Sequence, residues 1–146
     1  AEPLGIRVVL VRTGLVLTGK GGFLSRLMPL FRLGLGGKQG SGEQWMPWVH
    51  LDDEVGLINH LLHQPEARGA YNACAPEPVR NQAFAKSLGK HVKRPAIMSV
   101  PGFVLKLLLG EMAGLLLGGQ NIRPERTEQI GFEFKYKNLE SALANL

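Results

Sequence analysis

The stretch from Gly5 to Leu17 restricts the fold more than any other part of this sequence. Ile6, Val8, Val9, Val11 and Val16 make it a β-branched run with only weak alternation, the pattern of a strand buried on both faces. Such a strand needs a partner along its edges and a layer over each face, which the rest of the chain or something joined to it must provide. The chain has 146 residues, and a compact chain of that length buries roughly 68–70% of its unfolded surface, so a real core can form. It opens Ala1-Glu2-Pro3, without Met, and enters the apolar run almost at once, which reads as a piece cut from something longer.

Downstream, short apolar segments alternate with turn signals. Phe23 to Leu35 places Leu24, Leu27, Met28, Leu30, Phe31 and Leu35 at helical spacing, and Pro29 is expected to kink or divide that helix. The glycine cluster from Gly34 to Gly42 reads as loop. Trp45 to Leu51 reads as extended, with Asp52 or Asp53 capping a helix through His63 that turns Val55, Ile58, Leu61 and Leu62 inward. Gly69 to Ala75 is an expected strand, Asn81 the expected N-cap of a helix stopped by Gly89, and Pro95 to Val100 another extended piece. Pro101 opens an apolar helix over Phe103 to Leu117 with Gly118 and Gly119 as C-cap candidates, and Pro124 starts a short helix ending before Gly131. Phe132, Phe134 and Tyr136 then alternate, and Leu139, Leu143 and Leu146 follow at helical spacing.

The formal net charge is +5, with the excess mostly in the second half, where Arg80, Lys86, Lys90, Lys93 and Arg94 form an acid-free stretch. Charges this sparse read as a solvated helix face, although a basic module recognising an acidic partner through Arg80 to Arg94 stays open as an alternative. Phe84 is the one aromatic there that could stack on a base, so nucleic acid is not an expected partner. The single Cys74 rules out an intrachain disulfide, which points to a reducing, cytoplasmic setting. Phe103 to Leu117 is interrupted by Lys106 and Glu111 and falls short of the ~20 apolar residues of a membrane span, so no membrane partner is expected.

Several motif matches fail on their chemistry. Gly14 to Lys20 fits seven positions of a phosphate-binding loop but has Gly21 where a Ser or Thr hydroxyl must hold Mg²⁺. Gly34, Gly36 and Gly40 have the spacing of a dinucleotide-binding turn but follow a helix pattern rather than a strand. His60 and His63, with His50, Asp52 and Asp53 upstream, lack the further ligand a metal set requires, so no metal is expected. Neither Tyr71 nor Tyr136 is followed by Lys at the fourth position, and no Ser-His-Asp order is present. No catalytic residue is assigned in this chain.

Taken in order, Leu10 to Leu17, Leu33 to Gly37 with Gly40-Ser41-Gly42, Trp48-Val49-His50-Leu51-Asp52-Asp53, Tyr71 to Pro76, and Leu109 to Met112 through Gly119-Gln120 resemble the extended short-chain dehydrogenase/reductases. They resemble in particular the atypical epimerase-like group with a C-terminal extension, and specifically its C-terminal half. The resemblance implies an α/β fold: late strands of a Rossmann-type parallel sheet plus a small mixed α/β substrate domain, a fragment of a larger fold. It implies residues 1–22 as the end of the cofactor-binding domain, 23–97 as the substrate domain and 98–146 as the extension. Full members bind NAD or NADP through a glycine-rich turn and use a Tyr-x-x-x-Lys pair for proton transfer, both in the half this chain does not contain, so the chain by itself is expected to be inactive. Thr13, Gly14, Leu15 and Val16 are the implied cofactor contacts, with a buried strand end free of ligand as the other reading. Gln44, Trp45, Met46 and Trp48 are the implied substrate pocket, with plain core packing as the other reading. In nucleotide-sugar epimerases an Arg-Asp pair precedes the aromatic-Val/Ile-His segment, and the Arg clamps the substrate diphosphate; Met46 and Pro47 stand there instead. A small-molecule substrate other than a nucleotide sugar is therefore expected. Asp53 reads as a cap rather than a catalytic acid. The expected partners are the missing Rossmann half and, through uncovered strand edges, a second copy of the chain.

Overall fold

The β-branched run does not form one strand. In a computed structural model that describes residues 4–111, 113–114 and 118–146, it splits into β1 (Val9–Thr13) and β2 (Leu15–Leu17), divided at Gly14. β1 pairs in parallel with β6 (Gly69–Ala73), from Val9 opposite Gly69 to Thr13 opposite Ala73. β2 pairs in parallel with β5 (Trp48–His50), from Leu15 opposite Trp48 to Leu17 opposite His50. The two ladders fork at one residue. Gly14 N still donates to Ala73 O at 3.0 Å, while Leu15 N donates to Pro47 O at 2.6 Å. A β-carbon on Gly14 would overlap the Pro47 carbonyl oxygen and lie 3.2 Å from Ala73 O; only glycine lets the strand pass both.

Helix α1 (Gly22–Arg32) runs on through Pro29, although a proline there has no N–H to give to the Ser25 carbonyl one turn back. Phe23, Leu24, Leu27 and Phe31 are buried, and Leu35 is exposed rather than inward. The glycine cluster is not all loop: β3 (Gly37–Gln39) pairs in parallel with β8 (Met98–Val100), and Gly37 is needed because a side chain would overlap the Met98 carbonyl. β4 (Trp45–Met46) pairs antiparallel with β7 (Val79–Arg80).

Helix α2 (Leu51–His63) is capped by neither aspartate. The His50 ring takes that place, its Nδ1 accepting from Asp52 N at 3.1 Å. Asp53 is buried and caps another segment, accepting from Lys135 N at 2.7 Å and Tyr136 N at 3.0 Å. The inward face also differs from expectation. Glu54, Leu57 and Leu61 turn onto β1 and β6, and Val55, Ile58 and Leu62 are exposed at 58%, 42% and 66%. The helix carries two adjacent apolar stripes, and this chain covers one.

Helix α3 (Asn81–His91) continues through Gly89, against which Arg94 O and Ala96 pack. Asn81 is not its cap; its buried amide pairs with Gln39, donating to Gln39 Oε1 at 2.9 Å and accepting from Gln39 N at 2.7 Å. Helix α4 (Gly102–Leu109) stops at Gly110, with φ 59°, short of the Leu117 expected. Met112 and Leu115 to Leu117 lie outside the described residues. α5 (Glu125–Gln129) follows Pro124, and α6 (Leu139–Leu143) is capped by Asn138, whose side chain accepts from Ser141 N at 2.9 Å.

The main core gathers Leu17, Leu24, Phe31, Met46, Trp48, Phe84, Leu105 and Leu143 among others. A smaller core lies between α2 and the β1–β6 pair, around Leu57, Leu61, Tyr71 and Ala73. Among the described residues no helix is long and apolar enough to cross a membrane.

Candidate functional site

Parallel strands in α/β folds present ligands at their C-terminal ends, where the sheet opens. Here β1 ends at Thr13, β6 ends at Ala73, and the fork at Gly14 opens the sheet at that end. A cavity of about 260 Å³ lies there. Thr13, Gly14, Leu15 and Pro47 form one wall, and Gly118, Gly119, Gln120 and Ile122 the other, with Gly114 beside them.

The second wall belongs to the C-terminal part of the chain, and its position is set by bonds to β6. Cys74 Sγ donates to Ile122 O at 3.6 Å, and Asn72 Nδ2 to Arg123 O at 3.0 Å. Thr127 Oγ1 donates to Asn72 O at 2.8 Å, and Arg126 NH1 to Ala70 O at 2.8 Å. Gly119 lies against the Trp45 carbonyl so closely that any side chain would overlap it. Gly118 N donates to Gly114 O at 2.9 Å, while Gly119 serves close packing of backbone beside the cavity; Leu115 to Leu117, which precede the two glycines, lie outside the described residues.

No charged side chain lines this cavity among the described residues. Thr13 and Gln120 are the lining residues with polar side chains. Behind Thr13 stands Glu54: Thr13 Oγ1 donates to Glu54 Oε1 at 2.7 Å, and Glu54 Oε2, buried, has no hydrogen-bond partner among the described residues. Burial pushes the Glu54 carboxyl above its ordinary value, and the Thr13 hydrogen bond offsets part of that rise. Cys74 is 1% exposed, its thiol pushed up to about 12, chiefly by burial and then by the negative charge of Glu128, which makes it an inert packing group.

Thr13, Gly14 and Leu15 are brought together in the cavity wall; Val16, half-buried, does not line it. Gln44 is turned to the β3 loop, donating to Gln39 O at 2.8 Å. Trp45 is half-buried under the Arg80 guanidinium, 4.0 Å from the ring centroid, and meets the cavity region through its carbonyl at Gly119. Met46 and Trp48 are 0% and 1% exposed, inside the main core. Pro47, Gln120, Ile122 and Glu54 carried no sequence signal of a role. Of the basic stretch, Arg80 is held by Trp45 and by the Glu43 carbonyl, while Lys86, Lys90, Lys93 and Arg94 are exposed. Phe84 is core and offers no stacking surface. His60 Nε2 and His63 Nδ1 face the carbonyls of Ile130 and Asn59 at 3.1 and 2.8 Å, and no three His, Cys, Asp or Glu among the described residues could together hold a metal.

Comparison with known proteins gives the same frame. Residues 100–146 match the family described as a domain of unknown function, DUF1731. The chain is 46% identical over 138 residues to the chloroplastic epimerase family protein SDR39U1 homolog of Arabidopsis thaliana, covering 94% of this chain and 40% of that protein. It is 37% identical over 145 residues to an epimerase family protein of Staphylococcus aureus, covering 99% of this chain and 48% of the relative. The crystal structure of the human epimerase family protein SDR39U1 (isoform 2) with NADPH superimposes with a TM-score of 0.88 at 37% identity, over 95% of this chain and 48% of that one. The chain thus spans about half the length of the curated relatives it matches. Over nearly its whole length it is similar to the C-terminal portion of the SDR39U1-type epimerase family proteins, and its α/β fold matches that portion.

Proposed function

We propose that this chain is the substrate-domain half of an NAD(P)-dependent epimerase- or oxidoreductase-type protein and is inactive without a cofactor-binding half. In this reading residues 1–22 close the cofactor-binding sheet, 23–97 form the substrate domain, and 98–146 fold back over the site. One observation carries it: the cavity sits at the open end of a parallel strand pair whose outer surface is left bare. Parallel strands are stable when both faces are covered and more than two are paired. Here β1 pairs only with β6 among the described residues, Ile6 and Leu10 are each 56% exposed, and the Val55–Ile58–Leu62 stripe of α2 stands uncovered. That surface, next to Thr13, fits a preceding Rossmann domain.

The cavity suits a neutral part of the cofactor. No charged side chain among the described lining residues could hold a diphosphate, so in this reading Thr13, Gly14 and Leu15 meet the nicotinamide end and the other half binds the phosphates. Bound there, the cofactor supplies hydride transfer. The substrate is a small molecule without a diphosphate. The position matching the Arg clamp of nucleotide-sugar epimerases is Met46, enclosed in the core, and the next, Pro47, has its carbonyl taken by Leu15 N. The lone buried thiol fits a reducing compartment such as the cytoplasm.

NADPH fluorescence titration tests the reading. A polypeptide carrying a Rossmann half ahead of this chain binds NADPH, and residues 1–146 alone do not. Equal binding by both, or none by the longer polypeptide, overturns it. Stabilisation of the longer polypeptide by a UDP-sugar overturns the substrate assignment.

A further inference from the structure

Among the described residues Thr13 is the one hydroxyl-bearing residue that lines the cavity, and its proton is already committed. A threonine hydroxyl has one hydrogen to give and two lone pairs to receive with. That hydrogen goes to Glu54 Oε1 at 2.7 Å. When Glu54 is ionised it only accepts, so with the Thr13 hydrogen given to Oε1 what Thr13 retains for a ligand is acceptor capacity alone. The partner is costly to keep. Glu54 is 8% exposed, and its second oxygen is buried with no hydrogen-bond partner among the described residues, an arrangement that destabilises a fold. Leucine at this position would pack against Leu57 and Leu61 without that cost, so folding alone does not account for a carboxylate here.

We infer that Glu54 is a positioning residue that fixes Thr13 as a hydrogen-bond acceptor, so that the ligand group seated at Thr13 is an N–H or O–H donor. The inference rests on the cavity being the cofactor and substrate site proposed above. Carbonyl, carboxylate and phosphate oxygens are disfavoured at this point because they would meet lone pairs. Two ligands could bring the donor: a cofactor through its carboxamide N–H, or a neutral substrate through a hydroxyl.

Two matched probe pairs separate these sources in the longer polypeptide that binds NADPH. The first is NADPH against its 3-acetylpyridine analogue, in which a methyl replaces the carboxamide NH₂. The second is benzyl alcohol against benzyl methyl ether, titrated into the NADP⁺ complex by calorimetry. The wild type prefers the donor-bearing member of one pair by roughly tenfold, the equivalent of one hydrogen bond, and the pair that shows it names the source. Thr13→Ser keeps the preference. Thr13→Val, Thr13→Ala and Glu54→Leu bring the ratio to within about twofold of one. A purely structural Glu54 would lower the melting temperature of Glu54→Leu and leave the ratio as in the wild type, which overturns the inference. So does a wild type with no preference in either pair, a result that needs no variant to fold. Failure of the wild type to bind NADPH is a separate outcome; it removes the functional reading and this inference with it.

Discussion

Replacing Gly14 with alanine tests whether the fork in the sheet is held by close approach of backbone. Gly14 is not among the glycines with positive φ, so an alanine there meets no conformational penalty and its cost comes from contact. Its β-carbon would overlap Pro47 O and sit 3.2 Å from Ala73 O. The strand must move off one neighbour, at an overpacking cost of about 1–3 kcal/mol. Moving it also weakens the Gly14 N–Ala73 O and Leu15 N–Pro47 O bonds, each worth about 1 kcal/mol net. The sum, roughly 3–5 kcal/mol, is a large share of the ~5–15 kcal/mol that holds a domain together. Urea unfolding followed by tryptophan fluorescence reads it directly, since Trp48 is 1% exposed and pairs with Leu15 across the fork. Gly34→Ala is the contrasting control: Gly34 has φ 76° with nothing within 4 Å of a β-carbon, so only the left-handed penalty of roughly 1–2 kcal/mol applies. If Gly14→Ala costs less than Gly34→Ala, or lies within about 0.5 kcal/mol of wild type, the close-approach account of the fork is wrong.

Three further outcomes follow from the polar groups. Asp53→Ala removes the acceptor of the Lys135 and Tyr136 amides and should cost about 3 kcal/mol; those two amides should lose hydrogen-exchange protection, and unchanged protection would contradict the assigned role. The raised Glu54 carboxyl binds its proton more tightly folded than unfolded, so its contribution favours the fold at low pH. That contribution declines as pH rises from about the ordinary value of 4.5 through the folded value. Glu54→Gln should flatten the decline, gaining stability relative to wild type between pH 5 and pH 8 in parallel urea titrations, and an unchanged difference would refute the sign. Cys74, with its thiol at about 12, should react with iodoacetamide at pH 8 roughly 10³-fold more slowly than a free thiol of pKa about 8.5; alkylation at the free-thiol rate would show the site opens readily.

Local pattern made most elements legible, and tertiary contact decided the rest. The β-branched run was readable as buried strand, but its division at Gly14 depends on where the carbonyl of Pro47, far along the sequence, arrives, which no local window contains. The Gly34 to Gly42 cluster reads as loop by composition, yet Gly37 is there so that one backbone can lie against another. Helix α2 was readable as amphipathic, but its two apolar stripes are equivalent in sequence, and only the position of β1 and β6 decides that Leu57 and Leu61 turn in while Val55, Ile58 and Leu62 face out. At the site, Thr13 to Leu15 were legible because a strand end in an α/β pattern is a general ligand position. Ile122 and Glu54 were not, since Ile122 reaches the cavity from elsewhere in the chain and Glu54 stands behind Thr13 without lining it, and the segment that holds Gln120 gave no sign that it faces a cavity.

The fork at Gly14 places the opening by main-chain hydrogen bonds alone: Gly14 to Ala73, Leu15 to Pro47, and Ala75 N to Trp48 O at 2.7 Å. Peptide groups are common to every sequence, so the location of such an opening can be inherited while the side chains that furnish it are exchanged. Diversification of ligand preference then requires no redesign of the scaffold. Mutational searches for altered chemistry should accordingly concentrate on Thr13, Gln120 and Ile122 and leave Gly14 and Gly119 untouched.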